Sequence, residues 1–244
     1  MSKWMNNIII NIPLLMIISF NLSAAEQLAI DTVRIDLNNK PSLQRGAKIY
    51  VNNCLGCHTL SYQRYSKLVS DLDIPKEILK KNLIFTSNKD GQPTKLGSLM
   101  INSVNPDASI EAFGINPPDL SLIARSRGPD WLYTFLTSFY YDEARPMGVN
   151  NYLYPNVNMP HVLWWMEGLK EKSINKDTAP YIVKGNMNNR EYKSAVTDLV
   201  NFLTYVSEPA QLKRYKLGFW VVLFLAFFAF ITFLLKQEYW KDVE

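Results

Sequence analysis

The chain has 244 residues, with 26 Lys and Arg against 22 Asp and Glu, two cysteines and two histidines. So small an excess of basic residues builds no strongly positive surface, and nucleic acid is not expected as a partner. Two cysteines cannot staple a disulfide framework, and they cannot by themselves complete a tetrahedral zinc site.

The first segment reads as a secretory signal peptide. Lys3 precedes an apolar stretch over 8–20, which Asn11 and Pro13 interrupt, and Ser23-Ala24-Ala25 supplies small residues at a cleavage position after Ala25. A helix follows, with Ser42 as its expected cap and Leu43, Ala47, Tyr50 and Val51 on one stripe. It runs into Cys54-Leu55-Gly56-Cys57-His58, which uses both cysteines and one histidine.

C-x-x-C-H is the attachment pattern of a c-type haem. Thiols three positions apart can each form a thioether to one of the two vinyl groups on a single porphyrin edge. The adjoining imidazole is then placed beneath the iron. A thioredoxin-like dithiol would need a βαβ context, and none surrounds these residues.

Further along, Pro75 opens a short helix through Lys80-Lys81. Residues 86–118 are rich in Asn, Gly, Pro and Ser and read as loop, with one helical turn over 109–113. Pro129-Asp130 starts a helix whose expected apolar face is Trp131, Phe135 and Phe139, with Leu132 and Leu136 beside them. Residues 142–160 are again irregular. Tyr192, Ala195, Val196, Leu199, Phe202, Leu203 and Val206 then mark an amphipathic helix that Glu208-Pro209 stops.

The end of the chain is of another kind. Residues 217–235 carry no charge over 19 positions, about 28 Å of helix and enough to cross a hydrocarbon core. Lys213, Arg214 and Lys216 precede the span and Lys236 and Lys241 follow it, with Tyr215, Tyr239 and Trp240 as interfacial aromatics. Three basic residues against two would put the N-terminal flank inside, whereas a signal peptide and a haem motif require the preceding domain to be exported. Export of a large domain overrides one charge.

The expected organisation is a signal peptide over 1–25, an exported domain over 26–212, an anchor over 213–237 and a cytoplasmic tail over 238–244. The exported part carries 20 basic and 19 acidic residues, so it is nearly neutral. Alternating patterns are short. The fold class is therefore all-α: a cytochrome c-like haem domain with long loop insertions plus one C-terminal transmembrane helix.

With His58 on one face of the iron, the other face is either left open or covered by His161 or by Met100, Met147, Met159, Met166 or Met187. Met159 sits in a proline-held loop and His161 is the second histidine, so the pattern leaves both open.

Beyond the haem motif, the chain carries Gln44-Arg45-Gly46-Ala47, then Pro117-Pro118-Asp119-Leu120-Ser121 running into Arg125-Ser126-Arg127. Met159-Pro160 follows, then Asp198-Leu199-Val200-Asn201-Phe202-Leu203 with Glu208-Pro209 before the span. In these blocks the chain resembles the cytochrome c1 family, most of all its proteobacterial members. The resemblance implies Met159 as the distal iron ligand, beside His58, and Arg127 or Arg125 as partner of a haem propionate. Asn158 departs from the glycine or alanine that many members carry there.

It also implies one covalent haem c held by Cys54 and Cys57, and a redox subunit without bond chemistry of its own. That subunit would take one electron from a Rieske iron–sulfur protein in a bc1 complex with cytochrome b. It would pass the electron to a c-type cytochrome, from the periplasmic face of an inner membrane. Two other classes use the same residues. One is a haem subunit of another anchored complex, such as a terminal oxidase or nitric oxide reductase. The other is a gas-binding sensor or enzyme whose sixth position opens.

Overall fold

A computed structural model describes residues 29–241 apart from position 89, so the signal-peptide segment lies outside the described residues. The frame of the domain is two helices packed along each other, α1 (Lys40–Asn53) and α8 (Asn189–Ser207). Around them lie α2 (Tyr65–Leu72), α3 (Lys76–Asn82), α4 (Pro106–Phe113), α5 (Ile123–Ser126), α6 (Pro129–Leu136) and α7 (Trp164–Glu167).

Strand is sparse and confined to three antiparallel pairs. These are β1 (Leu60–Arg64) with β2 (Leu99–Met100), β3 (Phe139–Tyr141) with β4 (Val149–Asn151), and β5 (Gly168–Lys170) with β6 (Tyr181–Lys184). The helical class with long connections is the one the patterning indicates.

The expected stripe on α1 is buried, and Gly46 lies on the same side. A Cβ on Gly46 would stand 2.0 Å from the backbone oxygen of Asp198 and 2.7 Å from Phe202 Cβ, so only glycine lets α1 and α8 approach this closely. The same contact carries charge. Arg45 donates to Asp198 through Nε at 2.6 Å and Nη2 at 2.9 Å, and Ser42 Oγ donates to Asp198 Oδ1 at 2.6 Å. Asn201 Nδ2 donates to Ser42 Oγ at 2.8 Å, completing a satisfied network for a buried carboxylate.

Several local readings differ in detail. The cap of α1 is Asn39, whose side chain accepts from the Ser42 amide at 3.1 Å; Ser42 lies within the first turn, turned toward α8. α6 ends at Leu136, so Phe139 belongs to β3 and not to the helix. Thr137 Oγ1 donates back to the Tyr133 carbonyl at 2.9 Å, while Asn151 Nδ2 and Tyr192 OH take the carbonyls of Phe135 and Leu136 at 2.8 and 2.7 Å. Side chains from β4 and α8 thus satisfy the end of the helix.

In the expected loop over 86–118, α4 is two turns long. Asn105 caps it through the Asp107 amide at 2.8 Å, and Gly114 ends it at φ 73°. α8 begins at a capping box: Asn188 Oδ1 accepts from the Glu191 amide at 3.0 Å and Glu191 Oε2 from the Asn188 amide at 2.9 Å.

Three residues beyond α8, α9 (Gln211–Tyr239) runs for 29 residues, about 43 Å. Its mean hydropathy reaches 2.6 over an 18-residue window, and none of that window is buried against the rest of the chain. Among the described residues it is the one helix long and apolar enough to cross a membrane.

The α1–α8 contact makes a direct test. Gly46→Ala should destabilise the holoprotein by at least about 1–3 kcal/mol through overpacking. In a domain of this size that lowers the melting temperature by roughly 2–4 °C per kcal/mol. An unchanged melting curve would mean that the two backbones do not meet at Gly46.

Candidate haem site

The end of α1 delivers the haem motif. The Cys54 amide donates to the Tyr50 carbonyl at 2.8 Å, and the Cys57 and His58 amides both return to the Cys54 carbonyl, at 3.0 and 2.8 Å. The chain therefore keeps turning through the motif and does not run on straight. Tyr50 OH donates to the His58 carbonyl at 2.7 Å, and Asn102 Nδ2 to the Leu55 carbonyl at 3.1 Å, which closes the loop from two sides. Cys54 is 7 % exposed, whereas Cys57 is open to solvent.

His58 Nδ1 stands 2.7 Å from the carbonyl oxygen of Pro118. A carbonyl can only accept, so Nδ1 carries the proton and Nε2 keeps its lone pair for a metal. Burial lowers the pKa of His58, against the Pro118 bond and the nearby Asp119 charge, and favours the neutral imidazole that ligation requires.

Pro118 is held in place by its neighbour. Asp119 Oδ2 accepts from Thr59 Oγ1 at 2.6 Å and from the Ser61 amide at 2.8 Å, and Oδ1 accepts from the Ser121 amide at 2.8 Å. Burial alone would raise the Asp119 pKa. The hydrogen bonds from Ser121, Thr59 and Ser61 win and hold it at about 2.

The Pro-Pro-Asp-Leu-Ser block thereby braces His58 through Asp119. Asp119→Ala should remove this brace, loosen the His58 ring and alter the haem spectrum while covalent haem is kept. An unchanged spectrum and reduction potential in the variant would contradict that role.

Cys54, Cys57, His58 and Pro118 line one side of a cavity of about 530 Å³, part of it open to solvent. Phe113 and Ile115 from the end of α4 line it too, with Asn158, Met159, Pro160 and Val162 from a separate segment. Two sulfhydryls at the edge, an imidazole with a free Nε2 and a thioether in an almost wholly apolar cleft are the donor set that a covalently held porphyrin needs.

Asn158, the departure from the family pattern, accepts from Arg145 Nη2 at 3.3 Å, and the same atom donates to the Asn156 carbonyl at 2.9 Å. The asparagine thus ties the Met159 loop to the β3–β4 connection.

The other expected residues fall elsewhere. His161 is absent from the cavity lining and is buried against Phe139 and Glu167. Met100 and Met166 are buried in the main core, Met187 packs against it, and Met147 packs on a smaller cluster of Phe139, Val149 and Val157. Arg127 lies over the Trp131 ring at 5.2 Å, and Arg125 is 4.0 Å from Glu208; neither lines the cavity.

Sequence reasoning missed the Pro118 carbonyl, the apolar wall of Phe113 and Ile115, and the buried Glu167–Lys170 pair. Only the last left a signal, two opposite charges three apart in an otherwise apolar stretch.

Comparison with known proteins shows the family of the chain. Residues 34–243 match the model of the family described as the cytochrome C1 family. A cytochrome c1 of Allochromatium vinosum is 44 % identical over 224 residues, covering 88 % of this chain and 89 % of that protein. The ammonia monooxygenase gamma subunit of Nitrosomonas europaea is 38 % identical over 221 residues, with 91 % and 92 % covered. A cytochrome c1 of Rhodospirillum rubrum is 26 % identical over 234 residues, with 84 % and 83 % covered. With its haem motif, its cavity and nearly its whole length inside that match, the chain belongs to the cytochrome c1 family, electron-transferring subunits that carry one covalently bound haem c.

Proposed function

We propose that this chain is the exported, membrane-anchored electron carrier of a quinol–cytochrome c oxidoreductase of the bc1 type. It takes one electron from a Rieske iron–sulfur protein, sits beside cytochrome b and passes the electron to a c-type cytochrome. The observation that carries the reading is the pairing of two sides of one cavity. His58 offers a free Nε2 because Nδ1 is engaged by Pro118, and Met159 enters the same apolar space from a separate loop.

In this reading Cys54 and Cys57 would hold the cofactor covalently, and His58 and Met159 would ligate its iron. When bound, the haem supplies a one-electron couple, and the protein's part is to hold and tune it. A thioether opposite an imidazole favours the reduced state more than a second imidazole would, which suits an acceptor from a high-potential Rieske centre. The family resemblance offers Arg127 or Arg125 as partner of a propionate, although neither lines the cavity here.

Residues 1–25 would be removed on export, 26–212 would stand in the periplasm, 213–237 would anchor the chain in the inner membrane and 238–244 would remain in the cytoplasm. The unburied apolar surface of α9 supports the anchor. The relative named as an ammonia monooxygenase subunit keeps one other reading in view, a haem subunit of a different membrane complex. Co-purification with cytochrome b and a Rieske protein favours the first; purification with a monooxygenase instead would replace it.

Three outcomes test the proposal. Met159→Leu should abolish the weak near-infrared band of sulfur–iron ligation and lower the reduction potential by roughly a few hundred millivolts. Absence of that band from the native protein, with a spectrum unchanged in Met159→Leu and altered in His161→Ala, would assign the distal position to His161. Replacing both cysteines by serine should eliminate haem staining on a denaturing gel; persistent staining would refute thioether attachment. Truncation after Gln211 should release a soluble domain with an unaltered spectrum. The full-length chain should resist extraction by salt and carbonate, because each buried Phe or Leu contributes about 1.5–3 kcal/mol.

A further inference from the structure

Three ionisable side chains are shut away together beside the Met159 loop, and no part of the function described so far uses them. Glu167, on α7, is 3 % exposed, Lys170, on β5, 5 % and His161 5 %. Lys170 Nζ donates to Glu167 Oε1 at 2.6 Å. Oε2 of the same carboxylate lies 3.0 Å from His161 Nε2 without the alignment of a hydrogen bond, and neither atom has a hydrogen-bond partner among the described residues. The two face each other as a buried close contact. Burying such a group is costly unless each charge is matched, so a cluster like this persists where it specifies a conformation.

What it specifies is legible from the contacts on either side. The base of the cluster is fixed to the haem motif: α7 carries Trp165, whose Nε1 donates to Asn53 Oδ1 at 3.0 Å, next to Cys54. The far end is His161, two residues after Met159. Its ring stacks on Phe139 at 4.8 Å and 7°, and Met159 packs against the small cluster that Phe139 forms with Val149 and Val157. A rigid path therefore runs from the end of α1 through α7 and Glu167 to His161 and the shelf under Met159.

We infer that Glu167, neutralised by Lys170, is a positioning residue that clamps His161 and so holds the Met159 loop at the distance from His58 that keeps the thioether on the iron. The inference rests on the reading of Met159 as the distal ligand.

The test uses the full-length holoprotein in membranes or detergent. Glu167→Leu with Lys170→Met removes the clamp without leaving an unpaired lysine buried. This double variant should keep covalent haem on a denaturing gel and its helical circular dichroism. It should also lose the near-infrared sulfur–iron band, show a lowered reduction potential and bind carbon monoxide when reduced. Glu167→Gln should restore most of the band, since its amide can accept from Lys170 and donate to the other tautomer of His161. His161→Phe keeps the stack on Phe139 but lacks the polar contact with Glu167, and it should weaken the band as well; it carries the test alone if the double variant does not accumulate.

Folded variants with a wild-type band and potential, and no carbon monoxide binding, would overturn the clamp. Met159→Leu, measured in parallel, separates the two readings. Loss of the band in Met159→Leu but not in the clamp variants rejects the clamp alone. Persistence of the band in Met159→Leu rejects the distal ligand and the clamp together.

Discussion

The contact on which the site depends is the hydrogen bond from His58 Nδ1 to the carbonyl of Pro118. It decides the tautomer, and with it which ring nitrogen faces the cavity. It also joins two blocks that are 60 residues apart in the chain, so the orientation of the His58 ring is a property of the fold and not of the haem motif alone. The carbonyl is a firm acceptor because Asp119 is ionised and pinned by Thr59, Ser61 and Ser121. The orientation of the His58 ring thus rests on partners distant in the chain.

Behind that bond stands the α1–α8 frame. Gly46 permits the close approach, and Arg45, Ser42 and Asn201 match the charge and lone pairs of Asp198 at the same level. The last turn of α1 then points the cysteines into the cavity. Tyr50 serves both functions, with its ring 5.8 Å from that of Phe202 and its hydroxyl on the His58 carbonyl. A shift between the two helices would move the haem motif with it.

The Met159 side of the cavity is built differently. The Met159 segment lies in neither a helix nor a strand, and side chains hold it where regular backbone bonds do not. Arg145 reaches Asn156 and Asn158 before the methionine, and His161 is buried against Phe139 and Glu167 after it. A loop secured on both sides in this way can present a thioether in one position without the bulk of a helix.

The sequence by itself determined the attachment chemistry, because C-x-x-C-H is local and each of its residues has one job. It also determined the helices at the two ends, the stripe on α1, the long amphipathic α8 and the apolar span now within α9, since periodicity and capping act over a few residues. A proline-held loop set Met159 apart from the other methionines. Pattern alone left His161 in contention, because nothing in a sequence states which way a side chain faces. Tertiary structure settled what depends on distant partners. It made Asn39 the cap and turned Ser42 inward to Asp198, ended α6 before Phe139 with the help of Asn151 and Tyr192, and set His161 against Glu167 and away from the cavity. Each of these is a polar group choosing among acceptors brought near it only by folding, and such choices are written in space before they can be read in the chain.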